Sequence, residues 1–570
     1  MAAPTQMQGE QITSRRRRRT QSPDRSRGGR LRCLGISVAA VALTTAACSP
    51  DPGREDPTGS PCTSPRVVDQ SQETLVADCE ALWAIHTSEG LDDVVGLEGF
   101  ADDPTWMQSS AWAHPNPLDD WYGVGVADGR VTYLSLAGIS PGSWPDLLAL
   151  TELRHLTVDC VSGPISPELG DLHNLEVLSL GSGNIDADGS RSGISGDGLY
   201  ECPGTMTGPI PPELGNLTNL TNLLLSSDEL SGPIPPELGN LTELFVLGLA
   251  HSRLSGPIPP ELSSLTELYH LNLNNNQLSG PIPPELGNLA QLGVLDLAVN
   301  RLSGPIPPEL GDLESLRELS LGYNFLSGPI PAELGELVAL YLLNLNCNNL
   351  SGPIPQQLTS LRGLQSLFLH HNQLSGLILP GLGDLPQLIG LYISGNQLSG
   401  SIPPELARAS KLGTLDLSGN QLSGQIPAEF SGLTDLARLD LKDNRLSGPV
   451  PDSLADLANL WLLSLDGNEL TEPRPMGLEE RPGWWHGTIG DHTSRITWDQ
   501  WNAYCLRDSE PDQGTGQPTT TSPSTDDQAE PSRAIAPQGT VPDNTRHLHY
   551  PAVEQTPGYR YGPSCLWTDL

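Results

Sequence analysis

Aromatic residues are scarce in this 570-residue chain, 5% in all, with only five Phe. A compact globule with a large aromatic core is therefore excluded. Basic residues are scarce too: 30 Lys and Arg face 68 Asp and Glu, a net charge of −38, and the only lysines are Lys411 and Lys442. Nine of the arginines and two acids lie in residues 1–47, so the remainder carries 21 basic against 66 acidic groups, a net of −45. Such a surface repels phosphate backbones, which excludes nucleic acid as a partner. No C-x-x-C pair occurs, so neither a structural zinc site nor a thioredoxin-like centre is supported. No G-x-S-x-G, H-E-x-x-H or phosphate-cradling glycine loop is present. No apolar run is long enough to span a bilayer.

What is there begins with a basic stretch, Arg15 to Arg19 with Arg25, Arg27, Arg30 and Arg32, followed by LGISVAAVALTTAA from Leu34 to Ala47. The pattern predicts an export signal over residues 1–47. T-A-A-C then resembles the bacterial lipobox, with Thr45 where that family has Leu. The resemblance implies that Cys48 is acylated, placing the protein on the outer face of a bacterial membrane, or secreted. Residues 48–75, rich in Pro, Ser and Asp, read as a disordered tether.

The dominant signal is a period of 24. Leu-Ser-Gly recurs with its leucine at 230, 254, 278, 302, 326, 350, 374, 398, 422 and 446. One unit reads L-x-x-L-x-L-x-x-N-x-L-S-G-x-I-P-x-x-L-G-x-L, as in Leu292–Leu313. Leu295 and Leu297 alternate with Asp296, the pattern of a short strand buried on one face. Asn recurs at 276, 300, 324, 348, 372, 396, 420, 444 and 468, where stacked amides can satisfy turn backbone; Asp228 and Ser252 replace it earlier. Gly304 suits a sharp bend, and Pro305, Pro307 and Pro308 limit the segment P-P-E-L to one helical turn. No unit can bury its leucines alone, so the units must stack.

This pattern closely resembles the leucine-rich repeat family, in its plant-type L-S-G-x-I-P subclass. The resemblance implies an α/β solenoid: a right-handed, curved array of about 14 coils, with a parallel β-sheet on the concave face, a short 3-10 or irregular convex side, and non-repeat caps. The boundaries read as an N-terminal cap over 76–130, the solenoid over 131–472, a C-terminal cap segment over 473–508, a disordered low-complexity stretch over 509–545 and a tail over 546–570. About 21 residues are inserted near 186–206, either a passive loop or one overhanging the binding surface. Trp83, Trp106, Trp112, Trp121 and Trp144 at one end, and Trp461, Trp484, Trp485, Trp498, Trp501 and Trp567 at the other, suit the covering of exposed core ends.

Adjacency in an exported chain suggests a Cys160–Cys202 disulfide tying the insertion to its neighbouring coil, with Cys62–Cys79 and Cys505–Cys565 as further pairs and Cys347 left free. The Glu series at 213, 237, 261, 285, 309, 333, 405 and 429 reads as a solvated convex edge rather than a metal row, and His486 with His492 lacks a third spaced ligand. No metal or cofactor is expected.

The concave strand positions are free of core duty. There the middle coils place Tyr269, His270, Tyr323, Tyr341, Phe368, His370, His371 and Tyr392, with Arg317 and Glu318 to one side and Asp416, Asp440, Arg438 and Lys442 farther along. Phe368 and Tyr392 share one strand position in adjacent coils, so their rings should lie side by side. Clustered aromatics on a rigid scaffold are typical recognition anchors; the competing account is strand propensity alone. The histidines predict a binding change near pH 6. These features favour a non-enzymatic cell-surface protein that binds a protein, peptide or glycan. The alternative is a surface hydrolase working through residues 480–508 with the repeats as docking arm. An ice-adsorbing array would need a flat, regular face that is absent here.

Overall fold

A computed structural model describes residues 73–89, 123–181 without 137 and 138, 205–471 without 228, and Trp485–His486. The signal, the tether, Cys48, Cys202, the insertion and everything beyond His486 lie outside the described residues.

Two sheets run the length of the repeats. The inner one has 16 strands, starting with an antiparallel pair, Val124–Ala127 on Arg130–Leu136, and continuing with one parallel strand per coil. Fourteen coils contribute, and Trp485–His486 adds a further strand against Leu462–Ser464. A typical pairing sets Val294, Leu295 and Asp296 against Glu318, Leu319 and Ser320. The alternating leucines point inward and form one continuous core, fully buried from Leu134 to Leu460. Truncating any one of them to Ala costs about 2–5 kcal/mol.

The second sheet, of 13 strands, is a feature the periodicity does not announce. It is built from the L-S-G segments, as where Ser303 and Gly304 pair with Phe325 and Leu326. Pairings of two or three residues are too short to show alternation, and the glycine, at φ +84° in Gly304, reads from sequence as a bend alone. Between the sheets each P-P-E-L segment forms one 3-10 turn, Pro308–Asp312 for example, begun by an extended Pro307 and closed by Leu313 N–H on the Leu310 carbonyl.

The asparagine ladder does what its chemistry implies. Asn300 Oδ1 accepts from Leu278 N at 3.0 Å, while its amide donates to the carbonyls of Leu273, Leu297 and Ala298 at 2.9–3.2 Å. Ser252 manages one bond of each kind. The residue before each ladder position turns through the left-handed region even where it is not glycine, as in Val299 (φ 55°), Tyr323 (56°), Cys347 (49°) and His371 (55°).

The first coil is covered by the helix Glu73–Glu89, whose Leu75, Cys79, Leu82 and Ile85 join the core. Asp78, 2% exposed, fastens it: its carboxylate accepts from Arg130 Nε at 2.9 Å, Arg130 Nη2 at 3.1 Å and Val131 N at 2.9 Å. That bidentate lock raises the Arg130 pKa further. Trp144 is buried beside it and donates to the Pro164 carbonyl. Trp461, expected among the closing rings, instead stands 58% exposed, one residue before the strand Leu462–Ser464.

Candidate functional site on the inner sheet

One column of the inner sheet organises the candidate site. Stacked register places Asn272, Asp296, Ser320, Asn344, Phe368, Tyr392, Asp416, Asp440, Ser464 and His486 at successive equivalent positions. At five of these ten positions the residue caps its own strand end. Asn272, Asp296, Asn344, Asp416 and Asp440 each accept the backbone N–H two residues on, at 3.0–3.3 Å. Phe368 and Tyr392 carry no oxygen that reaches there, so backbone satisfaction does not explain them.

Their rings stack with centroids 4.6 Å apart and planes 9° from parallel. Gly390, two residues before Tyr392, gives the ring its room: a Cβ there would stand 2.6 Å from Tyr392 Cε2. His370 meets both rings edge-on, at 6.1 Å from Phe368 and 6.3 Å from Tyr392, and His371 lies 5.1 Å from His370. Asn346 Nδ2 sits 2.9 Å from His370 Nε2, an arrangement that suits a neutral, accepting ring.

Burial among these groups moves the titrations away from where the sequence puts them. It lowers His370 well below the usual histidine range, with His371 adding to the effect. His371 falls to about 4, again through burial, with Asp416 pulling the other way. Both rings are therefore neutral at pH 6. The group that titrates there is Asp440, pushed up to about 6 by burial and by Asp416, against Lys442 and Arg438. Arg438 lies between the two carboxylates, 3.3 Å from Asp440 and 3.8 Å from Asp416, and Asp416 also accepts from Ser394 and Ser418. Burial likewise raises Asp296, which takes 2.7 Å and 3.0 Å bonds from Asn274 and Ala298 N.

The remaining expected residues do not all join this group. Tyr269 lies four coils earlier, at the sheet edge, stacked on Phe245 at 5.2 Å and 8°, with its ring over Gly293. Phe245, 49% exposed, was not among the expected residues; its place beside Tyr269 in the aligned repeats is the signal that finds it. His270 and Glu318 are buried on the inner face, Tyr341 is half-buried, and Tyr323 sits on the left-handed turn. Cys347 corrects one expectation: it is disulfide-bonded rather than free, as are Cys79 and Cys160. Its turn position is buried beside His370, whose carbonyl accepts its N–H at 2.9 Å. Among the described residues no group of His, Cys, Asp and Glu is placed to hold a metal, and no helix is long and apolar enough to cross a membrane.

Leucine rich repeat models match residues 338–398 and 410–470, and 267–289, 291–313 and 315–337. No curated protein matches the chain. Among solved structures, the plant peptide hormone receptor RGFR1 in complex with RGF2 is 30% identical over 65% of this chain and 67% of its own, with a TM-score of 0.51. A TDR receptor is 29% identical over 62% and 66%, with a TM-score of 0.50. A leucine-rich repeat protein of Leptospira interrogans is 28% identical over 59% and 85%, at 0.45. The chain spans about two thirds of the two receptor chains. With a 24-residue repeat, a parallel inner sheet and an asparagine ladder in register, the chain belongs to the leucine-rich repeat family.

Proposed function

We propose that this is an exported recognition protein, without catalytic activity of its own, whose inner sheet binds a protein, peptide or glycan at the Phe368–Tyr392 site. The observation that carries the reading is the stacked pair itself, in a column where Asn272, Asp296, Asn344, Asp416 and Asp440 cap the backbone. A peptide is the favoured ligand, since one similar structure is a peptide hormone receptor in complex with RGF2. Flat rings bounded by Asp416 and Arg438 on one side and Asn344 on the other offer an apolar surface between polar ends.

The basic and apolar N-terminal stretch and Cys48 support export with a lipid anchor. The plant-type subclass rests on the L-S-G-x-I-P wording. A Cys160–Cys202 bond is supported by register: Gly163 pairs with Met206, and the two cysteines stand three and four residues before these partners.

Panning a random peptide library on the full chain tests the reading. Peptides that enrich should bind the Phe368→Ala/Tyr392→Ala variant at least tenfold more weakly, an order expected when anchor rings are lost. Equal binding to both proteins would place recognition elsewhere.

A further inference from the structure

The amides that precede the ring pair on the inner sheet are short of donors. Two residues on from the column of Asp296 and Asn344, successive coils carry Asn274, Ala298, Gly322 and Asn346. The two asparagines thus bracket the two smallest side chains. Asn274 leans toward the gap: its Nδ2 donates to Asp296 Oδ2, in the next coil, at 2.7 Å. Asn346 leans in from the other end, its Oδ1 filling the place that a Cβ on Gly322 would take. Asn344 Oδ1 stands 3.0 Å from the same place.

The side-chain donors of this cluster are already committed. Asn346 Nδ2 faces His370 Nε2 at 2.9 Å, Asn344 Nδ2 donates to Ser320 Oγ at 3.4 Å, and Ser320 in turn bonds Asp296. The oxygens are not. Asn274 Oδ1 and Asn346 Oδ1 are both buried without a hydrogen-bond partner, and Asn346 as a whole is 5% exposed. Buried carbonyls left in that state count against the fold, so the arrangement calls for a donor from outside it. Asp296, 2% exposed, adds a charge: burial raises its pKa, and no neighbouring positive group opposes the shift.

Two vacant acceptors and an uncompensated carboxylate ask for the same partner, a positive charge carrying several N–H groups. A hydroxyl would serve the carbonyls but not the charge. A guanidinium serves both, with five donors on one weakly hydrated plane. The chain's net charge of −38 draws such a group toward the protein.

We infer that the Asn274–Asp296–Asn346 cluster is a binding site of its own, taking the guanidinium of a ligand arginine over Ala298 and Gly322. The site lies two to three strands from Phe368, about 10–14 Å, which an extended peptide covers in three or four residues. A peptide seated on the rings therefore carries its arginine at that spacing. This last placement rests on the proposed role of the ring pair, whereas the site itself does not.

N-acetyl-arginine amide is the probe, paired with N-acetyl-citrulline amide, which has the same shape and no charge. Ligand-observed NMR on the full chain should show the arginine probe binding about tenfold more tightly or better. Gly322→Ala puts a methyl group where Asn346 Oδ1 stands and leaves the net charge unchanged; the glycine is outside the left-handed region, so alanine suits its backbone. That variant should lose the preference. Asp296→Asn, which keeps an acceptor for Ala298 N, should lose it too. Urea unfolding identifies the folded variants, and either one decides the matter. Equal binding of the two probes to the wild type overturns the site, as does a preference that survives in a folded variant. Neither probe carries a ring to stack on Phe368 and Tyr392. Peptide capture that proves independent of those rings would therefore sink the ring-pair reading and leave this result standing.

Discussion

Two stretches of a single column on the inner sheet obey different rules. From Asn272 to Asn344 the position is filled by Asn, Asp or Ser, and three of the four side chains cap the backbone of their own strand. In the next two coils it is filled by Phe368 and Tyr392, which cap nothing and stack on each other. Asp416 and Asp440 then return to capping. The backbone is the same throughout, so the difference lies in what the side chains are for. Where a position has a structural task, the task selects a short polar side chain. Where two adjacent coils abandon it for rings, the proposed gain is recognition on the solvent side.

The largest expected effect breaks the structural half of this comparison. Asn300→Ala removes an acceptor for Leu278 N and a donor shared by three carbonyls, at a site 2% exposed. Leaving those groups unsatisfied should cost about 3 kcal/mol, visible as a lower midpoint in urea unfolding. A cost under about 0.5 kcal/mol would show that the ladder carries no stability of its own. Peptide capture by the folded variant should be unchanged, because Asn300 lies three coils from Phe368.

A smaller effect sharpens the acidic end of the column. Asp440 titrates at about 6 in the folded protein, above its ordinary value of 3.8, so its contribution makes stability fall as pH rises from about 4 to 6. His371, lowered from 6.5 to about 4, contributes with the opposite sign: stability falls as pH drops from about 6.5 to 4. The two slopes oppose each other over a shared window. Asp440→Asn keeps an acceptor for Lys442 N and removes one slope. Its unfolding free energy should therefore rise more steeply with pH between 4 and 6.5 than that of the wild type. A pH profile parallel to the wild type's would mean that Asp440 does not titrate in that window.

Much of this was legible in the residues. The 24-residue period, the alternating leucines and the asparagine row specify stacked coils, because each is a local requirement repeated in register. Phe368 and Tyr392 were legible as neighbours for the same reason: equal repeat positions lie one strand apart. The second sheet was not, since two-residue pairings leave no periodic trace. Neither were the histidine titrations, which depend on burial in the folded chain. The Asp78–Arg130 lock joins residues 52 apart outside the repeats, where register gives no guide. The state of Cys347 depends on where the rest of the chain runs, which no spacing rule encodes.

The central claim is that the Phe368–Tyr392 pair serves recognition and not the fold. The most direct test is the unfolding free energy of Phe368→Asn/Tyr392→Asn, which restores the capping residue to both coils. The account predicts a value within about 1 kcal/mol of the wild type, because regained backbone hydrogen bonds offset the missing ring stacking. A drop of about 3 kcal/mol or more would make the rings part of the structure and contradict it.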